Sequence, residues 1–217
     1  METMETDLVP RVSAADAERA EVIVEAARRL FLGPGLARVS MDDLARDLGM
    51  SKKTIYRHFP DKRSLLTAVL DRQFAGIERA LASAAEEAAG QPFDVRVQRF
   101  LIAAGTELGR IGAAQLATGR GGDLTLRLYV EQCVDSTIYR PLGELFRDGH
   151  RRGLLAAPPE LLGEITRGAL ERLLNSRLPQ ELDYTAADLL RATVDTVLYG
   201  AIRPAHADND DEREAVR

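Results

Sequence analysis

Between Ser40 and Arg63 the chain reads S-M-D-D-L-A-R-D-L-G-M-S-K-K-T-I-Y-R-H-F-P-D-K-R, and few folds accept such a stretch. Ser40 is a good helix N-cap, and Asp43 three residues on completes a capping-box pair. Leu44, Ala45 and Leu48 then share one face at helical spacing. Gly49 stops that helix where a left-handed residue costs little, and Ser51 can cap the next one. In the second helix Ile55 and Phe59 point inward as an i, i+4 pair. Lys52, Lys53, Thr54, Tyr56, Arg57 and His58 are left for the open sides, and Ala45 is small enough for a close crossing. The pattern predicts a helix-turn-helix whose second helix faces a DNA major groove.

Charge supports that reading through its distribution rather than its sum. The chain carries a net charge of −5, which by itself argues against a general nucleic-acid coat. Yet Ser51 to Arg63 contains Lys52, Lys53, Arg57, Lys62 and Arg63 against the single acid Asp61. A basic patch on an acidic protein fits one confined DNA contact. Ser40, at a helix start, adds an amide and a hydroxyl suited to an anion.

Composition sets the class. Alternating β-branched runs are absent, while Ala, Leu, Arg and Glu are abundant, so an all-α protein is expected. The lone Cys133 excludes an internal disulfide and a multi-Cys metal site, and fits a reducing compartment. The acidic start M-E-T-M-E-T-D lacks the apolar core of a signal peptide, and no apolar run approaches the ~18 residues of a membrane span. A cytoplasmic protein without a membrane partner is expected.

Punctuation divides the rest. Residues 1–12 read as disordered. Ser13 and Asp16 cap a first helix whose stripe is Ile23, Ala26, Ala27, Leu30 and Phe31, and Gly33-Pro34-Gly35 ends it. After Pro60, Asp61 caps a helix running from Lys62 to about Ala89. Its face of Leu65, Leu66, Val69, Leu70, Phe74, Ile77 and Leu81 is longer than a small DNA-binding domain can cover, so a second helical domain is implied. The expected boundaries are 13–70 for the helix-turn-helix domain, 71–203 for the second domain and 204–217 for a disordered acidic tail. Within the second domain a helix carries Val95, Val97, Phe100, Leu101, Ala104 and Leu108, and another begins near Asp123. Gly112 to Gly122 is hard to assign. Around Cys133 to Pro141 the proline predicts either a break or a kink. The last two long helices fall at about 160–177 and 185–202, the second capped by Thr185 and Asp188.

The order of these parts resembles the DNA-binding half of the tetracycline-repressor family of transcriptional regulators. The resemblance covers roughly residues 20–70 and rests on R-R-L-F, a glycine turn, and the S-x-x-T-I-Y-x-H-F-x-x-K core at Ser51–Lys62. It implies base contacts from Lys52, Lys53 and Thr54, and phosphate contacts from Tyr56, His58 and Lys62. Arg57 departs from the aromatic or small residue common there and is assigned to phosphate, as is Ser40. The structural alternatives are packing on the first helix for Tyr56, capping of a carbonyl for His58, and a plain surface role for Lys53.

The resemblance also implies a homodimer, with the last two helices forming a four-helix bundle through Leu170, Leu174, Leu190, Val194, Val197 and Leu198. Two-fold symmetry would then place two recognition helices about 34–36 Å apart on a palindromic operator in double-stranded DNA. A small-molecule effector would sit among the middle helices. Phe100, Tyr129, Cys133, Thr137 and Tyr139 are candidates, since they mix apolar bulk with a polar tip. The expected protein is therefore an effector-released repressor with no cofactor, no metal and no catalytic residues. Neither a P-loop, an H-E-x-x-H pair nor a nucleophile elbow occurs in the chain. The alternative is a helical protein–protein adaptor without sequence-specific DNA binding.

Overall fold

A computed structural model describes residues 13–31, 40–111, 123–174, 181 and 183–201. The N-terminal 1–12, the Gly112–Gly122 region and the 204–217 tail lie outside the described residues. Every described element is a helix, so the all-α expectation holds. The chain divides into two compact units, one ending at Asp71 and the other beginning at Arg72.

In the N-terminal unit α1 spans Ala14–Phe31, α2 Met41–Asp47 and α3 Lys52–His58, while α4, Lys62–Glu87, begins here and continues past the division. The ends are written by adjacent side chains. Ser40 Oγ accepts from the Asp43 amide at 3.2 Å, and the Asp43 carboxylate accepts from the Ser40 amide at 3.0 Å. Ser51 Oγ accepts from the Thr54 amide at 3.1 Å. Asp61 accepts from the Ser64 amide at 2.7 Å, which starts α4. Each pair satisfies donors that a helix start otherwise leaves exposed. Gly49, at φ +60, reverses the chain after α2, and the Met50 amide closes the turn onto the Ala45 carbonyl at 3.0 Å.

The core of this unit is one cluster. Ile23, Ala26 and Ala27 of α1 meet Leu44 and Ala45 of α2, Ile55 of α3, Phe59, and Leu65 and Val69 of α4. Ile23, Leu44, Ile55 and Leu65 are fully buried. Burying side chains of this size contributes about 1.5–3 kcal/mol each, which helps hold short helices that would not persist alone.

The C-terminal unit contains the rest of α4, then α5 (Phe93–Ile111), α6 (Leu124–Val134), a π-helical turn (Asp135–Tyr139), α7 (Arg140–Arg151), α8 (Pro159–Leu174) and α9 (Ala186–Ala201). α9 packs on α5 and α8, and α7 packs on α8 and α5. The Thr185–Asp188 capping pair starts α9. Gly149 lets α7 approach α5, because a Cβ there would fall 2.4 Å from the Phe93 ring. At Pro141 the chain neither breaks nor ends its helix. The backbone widens into the π-turn, in which the Arg140 amide reaches back to the Asp135 carbonyl, and Pro141 enters as the first turn of α7 begins. An imino nitrogen has no proton to donate, and an altered hydrogen-bond register just before it absorbs that loss.

Candidate nucleic-acid interface

α3 is anchored by one side and open on the other. Ile55 is fully buried and Phe59, its C-cap, is 9% exposed, so the remaining side chains are turned outward. Lys52, Lys53, Tyr56 and Arg57 are exposed, and Thr54 is half-buried. Tyr56, at 45% exposure, does not pack away against α1. Thr54 Oγ1 lies 2.8 Å from Ser51 Oγ, in a hydrogen bond between the two hydroxyls at the helix cap. Lys53 meets no polar partner among the described residues.

Three of the expected DNA donors are already engaged by carboxylates of the same unit. Lys52 Nζ donates to Asp42 Oδ2 at 2.5 Å, from α3 to the first turn of α2. Arg57 Nη2 donates to Asp16 Oδ1 of α1 at 3.0 Å. Ser40 gives both its amide and its hydroxyl to Asp43 Oδ2, at 3.0 and 2.6 Å. That last geometry is a capping box, in which the Asp43 carboxylate takes both donors of Ser40 at the start of α2. The Ser40 hydroxyl is also the main reason the Asp43 carboxyl titrates below the usual aspartate range. His58 Nε2 is buried and has no hydrogen-bond partner among the described residues. A phosphate contact from this ring therefore requires Nδ1 or a rotated side chain. Lys62 opens α4 and is half-buried.

A basic, solvent-facing short helix held against a second one by a glycine turn and a shared core is a helix-turn-helix in geometry as well as in pattern. Residues 23–69, which contain it, match the family model for bacterial regulatory proteins of the tetR family. Over these residues the chain is similar to the DNA-binding domain of the tetR family. Its curated relatives include the HTH-type transcriptional regulator EthR of Mycobacterium tuberculosis, 39% identical over 79 residues, which are 36% of each chain. An HTH-type transcriptional regulator of Staphylococcus aureus is 40% identical over 55 residues, 25% of this chain and 30% of that one. The chain thus matches about a third of the length of these relatives. Fold similarity reaches much further. A transcriptional regulator of Saccharomonospora viridis, solved in complex with choline, superposes with TM-score 0.69 at 20% identity over 87% of this chain and all of that one. The fatty acid degradation regulator FadR of Bacillus halodurans gives TM-score 0.65 at 17% identity over 84% of this chain and 95% of that one.

Outside residues 23–69, the five residues expected at an effector site fall in different settings. Phe100 is buried on α5, and Tyr129 and Cys133 are half-buried on α6. Thr137 and Tyr139 both lie on the π-turn. Thr137 is 4% exposed and donates to Glu78 Oε1 of α4 at 3.4 Å. The Tyr139 ring lies under the Arg167 guanidinium of α8, 4.3 Å from its centroid, and Arg167 also pairs with Asp135. Burial, reinforced by the Glu171 carboxylate, pushes the Tyr139 hydroxyl up to about 12, so it remains a neutral donor. Sequence reasoning missed Glu78, Asp135 and Arg167, because each meets its partner from a distant helix and none belongs to a motif.

The residues expected at a dimer interface also divide. Leu170 and Leu198 are each 2% exposed, buried where α8 and α9 join the unit's own core. Val197 is half-buried, and the side chains of Leu174, Leu190 and Val194 lie outside the described residues. Among the described side chains of α8, Leu161 and Ile165 are large apolar residues that face outward. Among the described residues no helix is long and apolar enough to cross a membrane.

Proposed function

We propose that this protein is an effector-responsive transcriptional repressor that binds a palindromic DNA operator as a homodimer. The observation that carries the proposal is the exposed basic face of α3, mounted on the buried Ile55 and Phe59 within a domain similar to that of the tetR family. On this reading Lys52, Lys53 and Thr54 meet base edges, where a lysine can donate to guanine O6 and N7. Tyr56, Arg57, His58, Lys62 and Ser40 meet backbone phosphates and set the register. The protein works in the cytoplasm, where the chromosome is.

The C-terminal unit binds a small molecule and supplies the contacts between copies. Thr137 and Tyr139 are the most telling candidates for the effector site, since both stand on a π-turn, a feature frequent at functional sites. The regulator of Saccharomonospora viridis holds choline, and FadR of Bacillus halodurans regulates fatty acid degradation, so small organic cations and acyl chains open the effector screen. Because α4 belongs in sequence to both units, an effector that prefers a different pose of this helix weakens operator binding. By linkage the operator weakens effector binding by the same factor.

The test is selection of bound sequences from random DNA, followed by salt titration on the selected and a scrambled duplex. Enrichment of a palindrome with a steep salt slope is expected. Affinity indifferent to sequence makes the protein a helical adaptor instead. A saturating effector that leaves operator affinity unchanged removes the ligand-release step.

A further inference from the structure

Two of the three basic side chains on α3, Lys52 and Arg57, do not stand free: they arrive with counter-charges built into the same unit. Lys52 ends on Asp42 Oδ2 and Arg57 on Asp16 Oδ1, while Ser40 is closed by Asp43. A carboxylate oxygen is chemically close to a phosphate oxygen, an anionic acceptor that takes the same N–H and O–H donors. Lys52 and Asp42 are separated by ten positions and lie on different helices, so this pair is not a by-product of helical i, i+4 spacing. Their side chains are 60% and 50% exposed, which leaves both within reach of a duplex.

We propose that Asp42 is an internal competitor for DNA: its carboxylate occupies Lys52 in the free protein and must be exchanged for a DNA acceptor on binding. The inference rests on the proposed DNA-binding role of α3. A lysine that approaches DNA already neutralised contributes less to phosphate affinity than a bare lysine. The displaced carboxylate also remains beside the polyanion, where it is repelled. The interface therefore binds non-specific duplex less tightly, and with a shallower salt dependence, than its count of basic residues suggests. Asp16 acts in the same sense on Arg57. Asp16 also helps cap α1 through Ser13, so Asp42 is the cleaner position to test.

The experiment measures binding of the full-length protein to a fluorescent duplex of random sequence across a salt series. Four proteins are compared: wild type, Asp42→Asn, Lys52→Ala and the double variant. Asp47→Asn serves as the control, since it removes the same charge from the same helix but pairs with Arg29 of α1 rather than with α3. Asp42→Asn is expected to tighten binding about two- to fivefold at low salt, the span of an exposed ion pair, and to steepen the salt slope by up to about one. The gain should fade as salt screens the exposed charges. In the Lys52→Ala background the same substitution should have little effect, because the pair no longer exists. Thermal melts of each variant establish that the fold is intact. Equal shifts from Asp42→Asn and Asp47→Asn, or an undiminished effect without Lys52, overturn the competitor role while leaving DNA binding in place. Wild-type protein that binds no duplex even at low salt overturns the reading of α3 itself.

Discussion

Helix starts in the N-terminal unit are closed by residues three apart; the C-terminal unit caps α9 in the same way but adds polar ties that, among the described residues, span up to 97 positions, against 41 in the N-terminal unit. Ser40 with Asp43, Ser51 with Thr54 and Asp61 with Ser64 are all local pairs. In the C-terminal unit Arg96 meets Asp148 at 3.3 Å, Thr137 meets Glu78, and Gln98 reaches Asp195 at 3.1 Å across 97 positions. Local pairs leave a compact signature in the sequence. Distant pairs can be exchanged for others so long as the helices still pack. The match to the family model accordingly covers residues 23–69, while fold similarity at 17–20% identity extends over more than four fifths of the chain.

The largest test of this contrast removes one core side chain from each unit. Phe146→Ala in α7 should cost about 3–5 kcal/mol and Ile55→Ala in α3 about 2–5 kcal/mol, read by chemical denaturation, since both side chains are almost wholly buried. Only the Ile55 change should also abolish DNA binding under conditions where the protein stays folded, because Ile55 seats the reading helix. A Phe146→Ala protein that remains folded and loses DNA binding equally breaks the distinction between the units.

Next in size is the lysine. Lys52→Ala should lower discrimination between operator and scrambled duplex by about 1–3 kcal/mol if the side chain reads a base. An unchanged ratio with a uniformly weaker affinity moves Lys52 to the phosphate group. The same substitution made at two glycines then separates two kinds of constraint. Gly149→Ala should cost about 1–3 kcal/mol through collision with the Phe93 ring. Gly49→Ala should cost about 1–2 kcal/mol through its φ of +60 alone, because a Cβ there meets no atom within 4 Å. Trimming Phe93 to Leu should relieve the first and leave the second untouched.

The smallest expected effect is one of pH. The hydroxyls of Ser40 and Thr185 hold the carboxyls of Asp43 and Asp188 below the ordinary value of 3.8. A depressed folded value means that the stabilisation is complete above 3.8 and is lost as pH falls through the folded value. Acid titration of unfolding free energy should therefore slope downward below about pH 3.8, and Asp43→Asn should flatten part of that slope. Both carboxylates are at the surface, so the change is small, and its absence removes the caps from the account of helix starts.

Much of the N-terminal unit was legible because a helix start, a glycine turn and an inward i, i+4 pair are each decided within a few residues. Ser40, Gly49, Ser51, Ile55 and Phe59 all do in the structure what their spacing demands. The open face of α3 follows by elimination once its inward pair is known. The occupants of that face were not legible. That Asp42 reaches Lys52 and Asp16 reaches Arg57 depends on how α1 and α2 cross α3, and crossing geometry comes from packing rather than periodicity. Pro141 shows the same limit, since proline chemistry forbids one hydrogen bond but leaves break, kink and widened turn all open. The structure has the widened turn, beside the packing of α7 on α5 and α8 and with Asp135 held by Arg167. What the sequence determined by itself is the all-helical class, the helix-turn-helix and its basic, outward-facing side, because propensity, capping and charge act over one or two turns. The tertiary structure showed how the chain passes a proline, and it alone decided which carboxylates stand against those cations, because that depends on residues brought together from distant parts of the chain.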